Sequence, residues 1–235
     1  ISKGSLIVAY EPVWAIGKGA TPATPEQIEE AHKIIRTFLE QKYGDAGRKI
    51  SIQYGGSVKP ENVATIFAVP NVDGALVGGA SLKIELFSPL VAEGTNLVTR
   101  RAEALARSVA DTVRIEPAPG AESVGFGFKG DQVQLGANWK MERETKAAAL
   151  SNFRTFAIDL SKLIGDKRVG VTIFASPVHL DTLSTLLREL ITSKEVPEGL
   201  IRLAAQNVHT ELKGAFTGGV SFPQLEDLGI TDALV

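Results

Sequence analysis

Glu11 stands at the end of an apolar run, Leu6 to Ala9, and is followed by a loop stiff at one end with Pro12 and Trp14 and loose at the other with Gly17 and Gly19. A carboxylate in that setting reads as a catalytic base beneath a mobile lid, since a base needs a fixed origin and a cover that can open. A lone loop glutamate is more often a solvated side chain, so the reading rests on these neighbours. Glycine-rich turns offer a second kind of chemistry. Gly17, Ser57, Gly78 and Gly79 supply backbone N–H groups that an anion can approach closely, as a phosphate requires. A single Gly-Gly pair is ordinarily a tight turn. Three such loops, each after an apolar run, favour an anion cradle.

The elements that would position these groups follow a βα rhythm. Ser5 to Ala9, Ile50 to Tyr54 and Gly74 to Val77 are short apolar runs of the kind buried in a parallel sheet. Thr24, Pro25 and Gln27 spell a capped helix start, and Ile28, Ala31, Ile34, Ile35, Phe38 and Leu39 continue it at helical spacing. Further helices are expected over Pro60 to Phe67 and Ile84 to Ala92, and helical spacing resumes from Leu97 to Val113. Glu116 to Ala121 is rich in Pro and Gly and reads as a linker.

Beyond the linker the rhythm resumes with strand Gln134 to Trp139, a helix from about Glu144 to Leu163 and strand Val169 to Ala175. A helix marked by Leu183, Leu186, Leu187 and Leu190 leads to strand Arg202 to Gln206, helix Gln224 to Leu228 and a last strand from Thr231. Seven strand candidates alternating with helices argue for an α/β fold with a parallel sheet. Gly125 to Gly130 matches a dinucleotide-binding glycine pattern by letter, but no strand precedes it and no helix follows.

Composition narrows the function. With 235 residues and 44% hydrophobic content the chain reads as one domain, and a net charge of -2 without long charge runs gives no footprint for nucleic acid or an anionic membrane. No apolar stretch is long enough to span a bilayer, and Ile1 to Gly4 has no signal pattern, so the expectation is a soluble, cytoplasmic protein acting on a small molecule. The absence of cysteine excludes thiolate metal sites and a cysteine nucleophile. No metal or cofactor is expected.

Ala9 to Gly17 resembles, nearly residue for residue, the strand and lid signature of triosephosphate isomerases. Leu135 to Met141 is similar to their first-strand signature, Tyr54 to Val58 to their seventh-strand phosphate loop, Gly74 to Leu82 to their eighth-strand loop, and Ala204 to Thr217 to their third strand with its subunit-contact loop. The resemblance covers most of residues 5 to 93 and 134 to 235, with the family's sixth strand preceding its first. It implies a circularly permuted TIM (β/α)8 barrel with about one βα unit missing or replaced. Residues 1–96 would carry strands six to eight, 97–132 a linker segment, and 133–235 strands one to four. An eighth strand could come from Ser123 to Phe128 or from another polypeptide.

By the same resemblance Glu11 is the base, Lys140 the cation near the developing oxyanion and Asn138 a polar group beside it. Gly17, Ser57, Gly78 and Gly79 hold the substrate phosphate. Pro12, Val13, Trp14, Ala15 and Ile16 form the lid, which Tyr54 and Ser57 latch. The implied reaction interconverts dihydroxyacetone phosphate and glyceraldehyde 3-phosphate in glycolysis and gluconeogenesis, and the Asn207 to Gly219 loop implies a homodimer contact. The family's acid histidine falls in the segment not found here. His32, His179 and His209 read as surface or packing residues. In the lid, Lys18 and Ala20 to Pro22 depart from the family pattern, and Gly219 stands where the family tends to have a glutamate. A second reading therefore stays open, an impaired or incomplete barrel that keeps phosphate binding or acts as a scaffold or fragment. Another phosphate-binding barrel is disfavoured because Glu11, Asn138 and Lys140 occur together.

Overall fold

The computed structural model describes residues 6–17, 19–111, 133–140, 142, 145–165, 169–216 and 218–234. The linker run Glu116 to Ala121, the Gly125 to Gly130 motif, the candidate strand Ser123 to Phe128, and Lys18 lie outside the described residues.

Six strands form one sheet in chain order, β1 (Ile7–Tyr10), β2 (Ser51–Tyr54), β3 (Gly74–Val77), β4 (Val133–Asn138), β5 (Val169–Ala175) and β6 (Ile201–Ala205), with all neighbours parallel. Parallel neighbours need crossovers, and helices supply them. Helices α1 (Pro25–Tyr43) and α2 (Asp45–Lys49) lie between β1 and β2, α3 (Val63–Phe67) before β3, α4 (Ile84–Asp111) before β4, α5 (Lys146–Leu163) before β5, and α6 (Pro177–Thr192) before β6. A short α7 (Phe222–Asp227) follows. Six parallel strands in sequential order, each backed by helix, make a partial α/β barrel. Among the described residues β1 and β6 do not pair with each other.

Local chemistry explains several boundaries. Thr24 caps α1 by accepting the Gln27 N–H at 3.4 Å while the Gln27 side chain accepts the Thr24 N–H at 2.9 Å, with Pro25 in the first turn, as the sequence spells out. Thr145 caps α5 by accepting the Ala148 N–H. The strand expected from Thr231 is reduced to an isolated parallel bridge, Ala205 to Ala233, so among the described residues six strands form rather than seven.

The expected break between Ala92 and Leu97 is absent, and α4 runs unbroken for 28 residues. Its polar residues turn inward on the helix itself. Thr95 and Thr99 hydroxyls donate to the carbonyls four residues back, and Asn96 donates to Glu93. The boundary expected at residue 96 therefore falls inside a helix.

Alternation along the strands sorts the residues into two layers. Tyr54, Ala75, Val77, Leu135, Ala137, Val171, Ile173 and Ala175 point outward and join the main core under the helices, with Phe87, Leu90, Phe153, Leu160, Leu180 and Leu183. The opposite set faces inward. A side chain built on Gly136 would strike Leu76, Phe174 and Gln53, and Leu76, Phe174 and Ala204 form their own small cluster. His32 belongs to the outer layer. It is fully buried, its ring lies 5.9 Å from Tyr10 and 6.3 Å from Tyr54, and its Nδ1 lies 3.0 Å from the Asn71 carbonyl ahead of β3. Burial holds its pKa below the ordinary value.

Candidate active site

In an all-parallel sheet every strand ends on the same face, so the residues just beyond the six strands share one mouth. The inward parity that carries Gln53 and Leu76 also carries Gly55 and Gly78. On β4 and β6 it carries Asn138 and Gln206. Glu11 follows β1 on the inward side, after Ala9.

Glu11 leans on the next strand. The Gly55 N–H donates to the Tyr10 carbonyl at 2.9 Å, and a side chain on Gly55 would meet Glu11 Cγ at 2.6 Å. Only a glycine admits the carboxylate there. Burial of its carboxyl group raises the Glu11 pKa above the ordinary value of 4.5, and the Lys140 ammonium pulls it partway back. A carboxylate whose pKa is raised is a stronger acceptor of a proton from carbon.

Lys140 follows the end of β4 with φ 48°, a left-handed conformation unusual for a lysine. Its backbone N–H donates to Asn138 Oδ1 at 3.0 Å. Its ammonium reaches the β3 loop, since a side chain on Gly78 would lie 4.0 Å from Nζ. Gly78 precedes a short 3-10 turn, Gly79–Leu82, closed by the Ser81 N–H and hydroxyl donating to the Gly78 carbonyl at 2.8 and 2.7 Å. Nothing lies within 4 Å of where a Gly79 side chain would project. The cation thus sits beside an open glycine turn, an arrangement suited to a phosphate.

The lid residues form a 3-10 turn, Val13–Ala15, whose Ala15 N–H donates to the Pro12 carbonyl at 2.8 Å. Ala15 is fully buried while Val13 is 79% exposed, so the turn is anchored on one side and free on the other. The anchor is Ser57, whose hydroxyl donates to the Ala15 carbonyl at 2.6 Å. Tyr54 accepts the Ala23 N–H at 3.4 Å where the loop returns. Gly17 and Gly19 both have positive φ, 92° and 80°, at the loose end of the loop. Trp14 and Ile16 are exposed.

Removing the Ser57 hydroxyl tests the anchor. Ser57→Ala is expected to speed amide hydrogen exchange across Val13 to Gly17 by about fivefold, corresponding to loss of a hydrogen bond of about 1 kcal/mol. Ser57 also has φ 54°, so Ser57→Gly, which lacks the hydroxyl but relieves the backbone, separates the two effects. Equal protection in both variants and the parent chain would mean that the bond does not hold the lid.

The structure therefore gathers Glu11, Asn138, Lys140, Gly78 and the Ser57-anchored Val13–Ala15 turn at the strand ends. Gly17 lies in the lid's far limb, its carbonyl accepting the Ala20 N–H at 3.4 Å. The histidines are engaged elsewhere. His179 is buried in the first turn of α6, and His209 stacks on Phe216 at 4.0 Å and accepts the Glu211 N–H. Gln206, not singled out by the sequence, stands among the site groups. Its position one residue past β6 was the available signal.

A protein-family model described as triosephosphate isomerase matches residues 2–94 and 133–235. The chain belongs to the triosephosphate isomerase family. Curated relatives named triosephosphate isomerase include one from a Ruegeria species, 54% identical over 92 residues, covering 39% of this chain and 37% of the relative. Another, from Dinoroseobacter shibae, is 58% identical over 89 residues, covering 37% and 36%. A third, from a Jannaschia species, is 61% identical over 87 residues, covering 37% and 35%. The chain spans just over a third of the length of each relative in these matches. The crystal structure of triosephosphate isomerase from Bartonella henselae is 41% identical, covers 37% of this chain and 34% of that one, and has a TM-score of 0.34.

Among the described residues no group of His, Cys, Asp or Glu could hold a metal ion, and no helix is long and apolar enough to cross a membrane.

Proposed function

We propose that the chain interconverts dihydroxyacetone phosphate and glyceraldehyde 3-phosphate. Glu11 takes a proton from the carbon beside the carbonyl and the C–H bonding pair forms the C=C bond of an enediolate as the carbonyl pair moves onto oxygen; the hydroxyl proton passes from the one enediolate oxygen to the other, and Glu11 returns its proton to the neighbouring carbon. Lys140 stabilises the developing oxyanion, Asn138 orders the turn that carries Lys140, and Gly17, Ser57, Gly78 and Gly79 receive the phosphate under the Pro12 to Ile16 lid. The observation that carries this reading is the pairing of a partly desolvated Glu11 with Lys140, whose ammonium lies against the Gly78 turn. Family membership supports it. The permuted order of strands, the cytoplasmic setting and a homodimer through the Asn207 to Gly219 loop belong to the same proposal.

Purified chain of verified intact mass should turn over glyceraldehyde 3-phosphate in a coupled assay. A second reading, phosphate binding without catalysis, is favoured because among the described residues β1 and β6 do not pair with each other, and because His32 is bonded to Asn71 and His209 stacks on Phe216. Under that reading the chain binds a phosphate analogue, shows no turnover, and self-associates through its strand edges. Turnover by a chain that is monomeric in light scattering would set it aside.

A further inference from the structure

Gln206 is half-buried beyond β6, and its side-chain amide is shared among three acceptors from two other strands. Nε2 lies 2.9 Å from the Lys140 carbonyl, 3.1 Å from the Phe174 carbonyl and 3.5 Å from Asn138 Oδ1. Two of these acceptors are backbone carbonyls, which fixes which end of the amide is the nitrogen. The Lys140 N–H likewise fixes Oδ1 of Asn138 as the acceptor in its own bond at 3.0 Å. Lys140 is thus held on both sides of its α-carbon, its N–H by Asn138 and its carbonyl by Gln206.

That clamp is set on a residue with φ 48°. A lysine in the left-handed region reverts to an ordinary conformation unless its surroundings over-determine it. Reversion would swing the side chain away from both Gly78 and Glu11. The Phe174 carbonyl, which also accepts the Trp139 N–H at 3.1 Å, ties the clamp to the end of β5. The end of β6 is therefore coupled through one amide to the cation at the end of β4.

We propose that Gln206 is a positioning residue for Lys140, its amide holding the left-handed turn that aims the ammonium at Glu11 and the Gly78 loop. This rests on the reading of Glu11 and Lys140 as a working pair, so the test separates the two claims and does not depend on turnover.

The readout is the titration of the Glu11 side-chain carboxyl in the full chain, followed by carbon NMR and assigned by its loss in Glu11→Gln. Lys140→Met, which removes the charge and keeps an unbranched side chain one atom shorter, should raise the Glu11 pKa by about one unit, since a neighbouring cation favours the carboxylate. Gln206→Met, which keeps the bulk but has no donor, should raise it by about half as much. Adding Gln206→Met to Lys140→Met should change nothing further, because the two act through one ammonium.

A merely structural Gln206 would alter the melting temperature without moving the Glu11 titration, and that result overturns the proposal. If Lys140→Met itself leaves Glu11 unmoved, the Glu11 and Lys140 pairing is wrong and the proposal falls with it. Gln206→Asn, which keeps the amide one methylene short of the Lys140 carbonyl, carries the same expectation should Gln206→Met fail to fold.

Discussion

Glu11→Gln is expected to lower turnover by about 10²- to 10⁴-fold, the usual worth of a general base, with little change in KM. Glutamine keeps the size of the side chain beside Gly55 but has no lone pair basic enough to take a proton from carbon. In the parent chain the acid limb of the pH profile should lie above the ordinary carboxylate value of 4.5, because burial raises the Glu11 pKa more than Lys140 lowers it. The same shift has a consequence for stability. A carboxyl whose folded pKa is raised contributes most below its unfolded pKa, and that contribution is lost as pH rises through the folded value. Glu11→Gln should therefore be no less stable than the parent at neutral pH, with its relative advantage shrinking as the pH falls toward 4.5 and below. A variant that kept full turnover would remove Glu11 from the role of base. One that lost turnover together with its folded structure would be uninformative by rate alone, which is why the denaturation midpoint is read on the same sample.

The site was legible in the sequence where chemistry and chain order coincide. Glu11, Ser57, Gly78, Asn138 and Lys140 each lie within a few residues of a strand end that apolar runs announce, and parallel pairing brings such ends together. The α1 start was equally plain, since Thr24, Pro25 and Gln27 act locally. Two features were hidden because they depend on partners distant in sequence or on conformation. Gln206 gains its meaning from acceptors 66 and 32 residues away. The left-handed φ of Lys140 leaves no mark on residue type, as glycine would. The continuity of α4 was missed for a different reason: Thr95, Asn96 and Thr99 look like breakers, yet each finds a partner along the helix. The last strand shrank to the Ala205 to Ala233 bridge, because a hydrophobic end such as Ala233 to Val235 states apolarity but not a partner edge.

Arg36→Ala is expected to destabilise the chain by about 3 kcal/mol while leaving turnover per folded molecule unchanged. Arg36 projects from α1 with its side chain only 11% exposed, and Nη1 donates to the carbonyls of Gly47, Arg48 and Ile50 at 2.7, 3.3 and 2.8 Å. Its Nη2 donates to Asp73 Oδ2 at 2.6 Å, and that same oxygen accepts the Ile52 N–H at 3.0 Å. One guanidinium thus fastens α1, the end of α2 and the entrances of β2 and β3. Alanine would leave three carbonyls and a carboxylate short of a donor, which costs far more than the net worth of the pair. Asp73 would keep Arg101 at 3.1 Å, holding the loss below that of a fully orphaned charge. Arg36→Lys should recover only part of the stability, since an ammonium cannot span the fork. Arg101→Ala, with a side chain 45% exposed, should cost less than about 1 kcal/mol. Urea midpoints at constant slope decide the order, and an Arg36→Ala loss no larger than that of Arg101→Ala would refute it. These contacts lie where the strands begin and Glu11 and Lys140 lie where they end, so the two substitutions Arg36→Ala and Glu11→Gln should divide cleanly, one lowering stability and the other chemistry.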